Sequence, residues 1–137
     1  MKTIGQLLEK KGRRVISARQ GDTVYQALAL MAQHDIGALL VMEGERLVGI
    51  FSERDYARKT ILYGRISAET RLSEIMTDKV LHVSLEQTPE ESMALMAEKH
   101  IRHLPVLEGD QVVGVISASD LIRESLSHQD YLTHQFS

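Results

Sequence analysis

The chain has no cysteine among its 137 residues, which excludes a disulfide framework, a zinc thiolate site and a thiol nucleophile. Tryptophan is also absent, and four Tyr with two Phe leave few platforms on which nucleic-acid bases could stack. No long apolar run is present. The longest near-continuous stretch, Ile36 to Met42, falls far short of the roughly 20 residues needed to span a bilayer as a helix. The opening Met-Lys-Thr-Ile-Gly-Gln lacks the apolar core of a signal peptide, so a soluble cytoplasmic protein with no membrane partner is expected. Neither a nucleophile elbow, a P-loop nor a spaced metal cluster occurs, and no enzymatic activity, catalytic residue or metal is expected.

Neither sign of charge dominates overall, with a net charge of −3. It is unevenly placed: residues 1–64 carry ten Lys/Arg against seven Asp/Glu, and residues 65–137 carry six against twelve. The basic run Lys10-Lys11-Gly12-Arg13-Arg14 could meet phosphate, but it reads first as a solvated helix end followed by a turn. Nucleic acid is therefore not the expected partner. The apolar share of 43% and charged share of 26% describe a globular chain long enough to bury a real core.

What is present is a repeat. Positions 15–59 and 80–124 align without a gap at a constant offset of 65, with 16 of 45 positions identical. Ala29-Leu30-Met31-Ala32 returns as Ala94-Leu95-Met96-Ala97, Val48-Gly49 as Val113-Gly114, and Ser52-x-x-Asp55 as Ser117-x-x-Asp120. Two like units tend to pair about a pseudo-two-fold axis and to form sites between them.

Each copy parses from local signals. It opens on a β-leaning stretch, Val15-Ile16-Ser17 or Val80-Leu81-His82-Val83. A helix start follows, where Thr23 with Gln26, and Thr88 with Glu91, fit capping boxes, and Pro89 takes the first helical position. Val24, Ala27, Leu28 and Met31, then Met93, Met96 and Ala97, have helical spacing and read as a packed face. A hairpin comes next in each copy: Ala38–Met42 and Arg46–Phe51 around Glu43-Gly44-Glu45, then His103–Leu107 and Gln111–Ile116 around Glu108-Gly109-Asp110. A second helix is expected at 53–63 and 118–127, so the unit is β-α-β-β-α. Ahead of the copies, Ile4-Gly5-Gln6-Leu7-Leu8 and Leu72-Ser73-Glu74-Ile75-Met76 are similar short amphipathic segments. His100 and His103 read as boundary residues without a metal set.

This tandem unit, with Gly49-Ile50-Phe51-Ser52-Glu53-Arg54-Asp55 and Gly114-Val115-Ile116-Ser117-Ala118-Ser119-Asp120 closing the copies, resembles a pair of CBS domains, or Bateman module. Ile36-Gly37-Ala38-Leu39-Leu40-Val41, Ile101-Arg102-His103-Leu104-Pro105-Val106 and Glu74-Ile75-Met76-Thr77 match as well. The resemblance covers about Ile4 to Leu126, and a stand-alone CBS pair without an accompanying catalytic or transport domain is expected. It implies an α/β (α+β) fold of two β-α-β-β-α repeats related by a pseudo-two-fold axis and packed through their sheets. Residues 1–64 would form the first repeat with its N-terminal helix, residues 65–127 the second with its linker helix, and 128–137 a polar tail.

The resemblance also implies two clefts for an adenosine-containing ligand, an adenine nucleotide such as AMP, ADP, ATP or NAD. A carboxylate can accept both ribose hydroxyls, which makes Asp55 and Asp120 the central candidates. Ser52, Ser117 and Ser119 can donate to phosphate, and Arg54 and Arg102 can supply charge. Family pattern crosses the copies: Ile16 and Gly37 join Arg102, Val115, Ser117, Ser119 and Asp120, while Thr77, Leu81 and Ile101 join Ile50, Ser52, Arg54 and Asp55. His103 is a further candidate for ligand phosphate. Ser-x-x-Asp is also a good capping box, so both roles stay open for it. The family further implies a homodimer packed through its helices and a protein partner that reads the ligand-bound state; the alternatives are a ligand-free dimerisation scaffold and, after it, an enzyme.

Overall fold

The computed structural model describes residues 3–125. In chain order these form α1 (Ile4–Lys11), β1 (Ser17–Ala18), α2 (Val24–His34), β2 (Ala38–Glu43), β3 (Arg46–Ser52), α3 (Glu53–Tyr56), α4 (Leu72–Ile75), α5 (Pro89–Lys99), β4 (His103–Glu108), β5 (Gln111–Ser117) and α6 (Ala118–Ser125). A π-helical turn, Ala57–Ile61, continues α3. The mixed α/β class expected from the repeat is the one observed, with a β1-β2-β3 sheet and a β4-β5 sheet.

Contacts divide the chain into two compact units, one made of Val15–Val80 and the other of Met1–Arg14 with Leu81–Ser137. This differs from the contiguous division expected at residues 64 and 65. Helix α1, which precedes the first repeat, packs into the second; α4, which precedes the second repeat, packs into the first. Ile4, Leu7 and Leu8 share a core with Val83, Met96, Leu104, Val106, Ile116 and Leu121. Leu72 and Ile75 share the other with Ala18, Val24, Ala27, Met31, Leu39, Val41 and Phe51. The expected polar tail at 128–137 lies outside the described residues.

The same backbone bonds seat both exchanged helices. The first N–H groups of a helix have no partner within it. Those of Ile4 and Gly5 donate to Gln87 O and Leu85 O at 2.8 and 2.9 Å, and those of Leu72 and Ser73 donate to Asp22 O and Gln20 O at 2.9 and 3.1 Å. In each unit the acceptors lie in the loop just before the repeat's long helix. That helix starts as its sequence directs: the Thr23 hydroxyl accepts from Gln26 N–H while the Gln26 side chain returns to Thr23 N–H, and Thr88 with Glu91 repeats the arrangement.

Both hairpins carry the same irregularity. Val41 faces Gly49 and Met42 faces Leu47, leaving Val48 as the extra residue; Val106 faces Gly114 and Leu107 faces Val112, leaving Val113. A bulge of this kind twists and re-aims a strand, and in both copies it precedes the glycine against which the exchanged segment lies. A Cβ built on Gly49 would stand 2.6 Å from Met76 Sδ, and one on Gly114 would stand 2.7 Å from Leu8 Cδ1. Glycine at these two positions is what admits the neighbour.

Two local expectations change. The β-leaning Val80–Val83 stretch forms no strand and makes only the isolated parallel bridge of Val83 to Val106. The helix expected at 53–63 is α-helical only through Tyr56 and then widens, with Leu62 N–H donating to Ala57 O at 3.4 Å. Such π turns accommodate one extra residue. Thr60 is fully buried within it.

Candidate functional site

The candidate carboxylates stand where the last strand of each copy passes into its final helix. Ser52 is the N-cap of α3: its hydroxyl accepts from Asp55 N–H at 3.2 Å, and Asp55 Oδ2 accepts from Ser52 N–H at 3.0 Å and from the Ser52 hydroxyl at 3.2 Å. At the equivalent junction Asp120 N–H donates to Ser117 Oγ at 3.1 Å, and Ser117 N–H donates to Asp120 Oδ2 at 2.8 Å. The capping role of Ser-x-x-Asp is thus present in both copies. Each junction is also tied to the start of its own hairpin, since Glu53 N–H donates to Gly37 O at 3.0 Å and Ala118 N–H to Arg102 O at 2.8 Å.

Beyond these caps, the two carboxylates are held differently. Thr77 pairs with Ile50 through reciprocal backbone bonds of 2.9 Å, which brings its hydroxyl within 3.4 Å of Asp55 Oδ1. Lys59 Nζ lies 3.3 Å from the same oxygen. Asp120 instead meets Lys11, whose Nζ is 2.6 Å from Oδ2 and donates also to Val115 O at 2.6 Å. Arg123 Nη1 is 3.5 Å from Asp120 Oδ1. Both carboxylates are buried, so a nearby cation offsets part of the cost of removing the charge from water.

The structure therefore brings Ile50, Ser52, Asp55 and Thr77 together in the unit of Val15–Val80, and Val115, Ser117 and Asp120 together in the other. Arg54, Ser119 and Arg102 are exposed on their respective units, Ile16 and Gly37 are half-buried in the first, and Ile101 packs at the edge of the second unit's core. Leu81 is exposed in that second unit. Three cations at the aspartates were not among the expected residues. Lys59 and Arg123 could have been found from their i+4 and i+3 spacing to Asp55 and Asp120. Lys11, 109 residues from Asp120, carries no local signal.

Electrostatics follow from these contacts. Burial opposes ionisation of Asp120, but the Lys11 ammonium and the Ser117 N–H outweigh it and hold the carboxyl below the usual carboxylate range. His103 lies opposite Ser117 in the β4-β5 pairing. Burial, with the nearby Lys11 and Arg102 charges against the opposing pull of Asp120, pushes its imidazole below the ordinary histidine value. A folded state that prefers neutral histidine binds fewer protons than the unfolded chain, so stability rises with pH in that window. The contribution of His103 is expected to be complete above about pH 6.5 and to be lost as pH falls from there through the folded value. Urea unfolding between pH 5 and 7.5 should show this slope, and His103→Gln should flatten it. An unchanged slope in the variant would place the dependence elsewhere.

No group of three or more His, Cys, Asp and Glu is placed for a metal among the described residues. None of the helices among them is long and apolar enough to cross a membrane.

Two hairpin units closed by glycine, a capping serine and a buried aspartate define a class of protein, and comparison gives it a name. The CBS domain family model matches residues 11–60 and 72–127. The chain belongs to the CBS-domain family. It is 38% identical over 130 residues to the mitochondrial CBS domain-containing protein CBSX3 of Arabidopsis thaliana, covering 88% of this chain and 63% of that protein's length. A solved structure of a CBS-domain protein from Burkholderia ambifaria MC40-6 superposes with a TM-score of 0.89 at 46% identity, covering 93% of this chain and 96% of that one. The CBS domain pair of protein MJ0100, solved with 5-methylthioadenosine and S-adenosyl-L-methionine, shares the fold with a TM-score of 0.80 at 23% identity, covering 91% of this chain and 96% of that one.

Proposed function

We propose that this chain is a regulatory module that binds an adenine nucleotide, AMP, ADP, ATP or NAD, in clefts between its repeats and signals occupancy to a protein partner. The observation that carries the reading is the duplicated junction: a buried aspartate in each copy, fixed by a serine cap and supplied with cations, is a ready acceptor for a ribose diol. The MJ0100 pair supports the architectural half of this reading, since a protein of the same fold holds adenosine compounds. One cleft would combine Ile16 and Gly37 with Arg102, Val115, Ser117, Ser119 and Asp120. The other would combine Thr77, Leu81 and Ile101 with Ile50, Ser52, Arg54 and Asp55. The copies differ at Arg54 against Ser119 and at Gly37 against Arg102, so the two affinities differ. Signalling requires only that the nucleotide prefer one conformation or assembly of the module over another. An isologous homodimer packed through the helices is the assembly the reading favours.

Thermal unfolding with AMP, ADP, ATP, NAD and S-adenosylmethionine tests the proposal. A nucleotide at a hundred times its dissociation constant adds about 2.7 kcal/mol, and at least one is expected to raise the midpoint. Folded, nucleotide-free protein that responds to none of them would favour the ligand-free scaffold.

A further inference from the structure

The two aspartates repeat, but the group that the exchanged segment presents to each does not. Asp55 receives a neutral hydroxyl from Thr77, just beyond α4. Asp120 receives an ammonium from Lys11, the last residue of α1. That ammonium spends one N–H on the carboxylate and another on Val115 O. Its side chain is 37% exposed while that of Asp120 is 10% exposed, and the oxygen it holds, Oδ2, is the one that also accepts from Ser117 N–H. A ligand diol that takes the Asp120 oxygens must take over the acceptor Lys11 now uses. The ammonium then keeps Val115 O, a neutral acceptor, and lacks an anion in direct contact. A ligand that brings its own phosphate supplies one; adenosine does not, and a cationic sulfonium adds repulsion.

We propose, resting on the nucleotide-binding reading above, that Lys11 is the specificity-determining residue of the Asp120 half-site and makes it select phosphorylated adenine nucleotides over uncharged or cationic adenosine compounds. At Asp55 the exchanged segment presents the Thr77 hydroxyl, and the ammonium there is that of Lys59, which comes from the turn after the aspartate and stands 3.3 Å from Oδ1 against 2.6 Å for Lys11 at Asp120. Arg102 and Arg123 remain when Lys11 is replaced, so selectivity falls without inverting.

Calorimetric titration with AMP and with adenosine reads this directly, in a chain carrying Asp55→Ala so that only the Asp120 half-site is measured. Charge-assisted hydrogen bonds are strong enough that Lys11→Gln should lower the ratio of AMP to adenosine affinity about tenfold or more, while Lys11→Arg should keep it near the parent value. Ratios that agree in the parent and Lys11→Gln chains overturn the role of Lys11 and leave nucleotide binding intact. Absence of binding by either compound, in the unmutated chain as well as in Asp55→Ala, overturns the nucleotide reading and the selectivity with it.

Discussion

Replacing Leu8 with alanine is expected to destabilise the protein by about 2–5 kcal/mol, although Leu8 lies outside both copies of the 45-residue repeat. Its side chain is fully buried in the core built by Val83, Met96, Leu104, Val106, Ile116 and Leu121. A leucine at the edge of an accessory helix would cost a few tenths. The difference arises because α1 completes the second unit instead of flanking the first. The loss should be read as a lower urea midpoint at unchanged slope, which separates lost stability from a change in the unfolded state. Gly114 sharpens the test. Its missing Cβ makes room for the Leu8 methyls, so Gly114→Ala alone should cost about 1–3 kcal/mol by overpacking. Combined with Leu8→Ala the cost should shrink, because the added methyl enters the space the leucine left. A cycle in which the two changes simply add would place Leu8 away from Gly114.

The second large effect concerns ligand. Asp55→Ala is expected to weaken nucleotide binding at its half-site by roughly a hundredfold or more, since hydrogen bonds to a charged acceptor contribute about 1.5–3 kcal/mol each. Ser52→Ala is the necessary companion. It removes the cap hydroxyl at a cost of about 1 kcal/mol in stability but leaves the carboxylate in place. If capping were the only role of this motif, both variants would lower stability and neither would change affinity out of proportion. A carboxylate that accepts the ribose diol requires affinity to fall much further in Asp55→Ala than in Ser52→Ala.

Much of the fold was legible because its signals are local. The Thr23–Gln26 and Thr88–Glu91 caps, the Gly44 and Gly109 turns and the alternating strand residues each act over a few positions, and each forms the element it specifies. The gapless offset of 65 carried the repeat, and with it the equivalence of Asp55 and Asp120. The exchange of α1 and α4 was not legible. Ile4-Leu7-Leu8 and Leu72-Ile75-Met76 are near-equivalent apolar triads, and nothing in either says which core it fills. The same non-locality hid Lys11: an ammonium at a helix end reads as solvated until the chain brings Asp120 to it. The π turn after Tyr56 escaped for another reason. The periodicity of a helix as short as 53–63 does not resolve one extra residue in a single turn.

The most direct test of a two-cleft nucleotide module is the stoichiometry of binding, measured by equilibrium dialysis with labelled AMP or ATP on the unmutated chain, on Asp55→Ala, on Asp120→Ala and on the double variant. Two nucleotides per chain are expected at saturation, with a different one lost in each single variant and both lost in the folded double variant. Undiminished binding in the double variant would contradict the assignment of both aspartates.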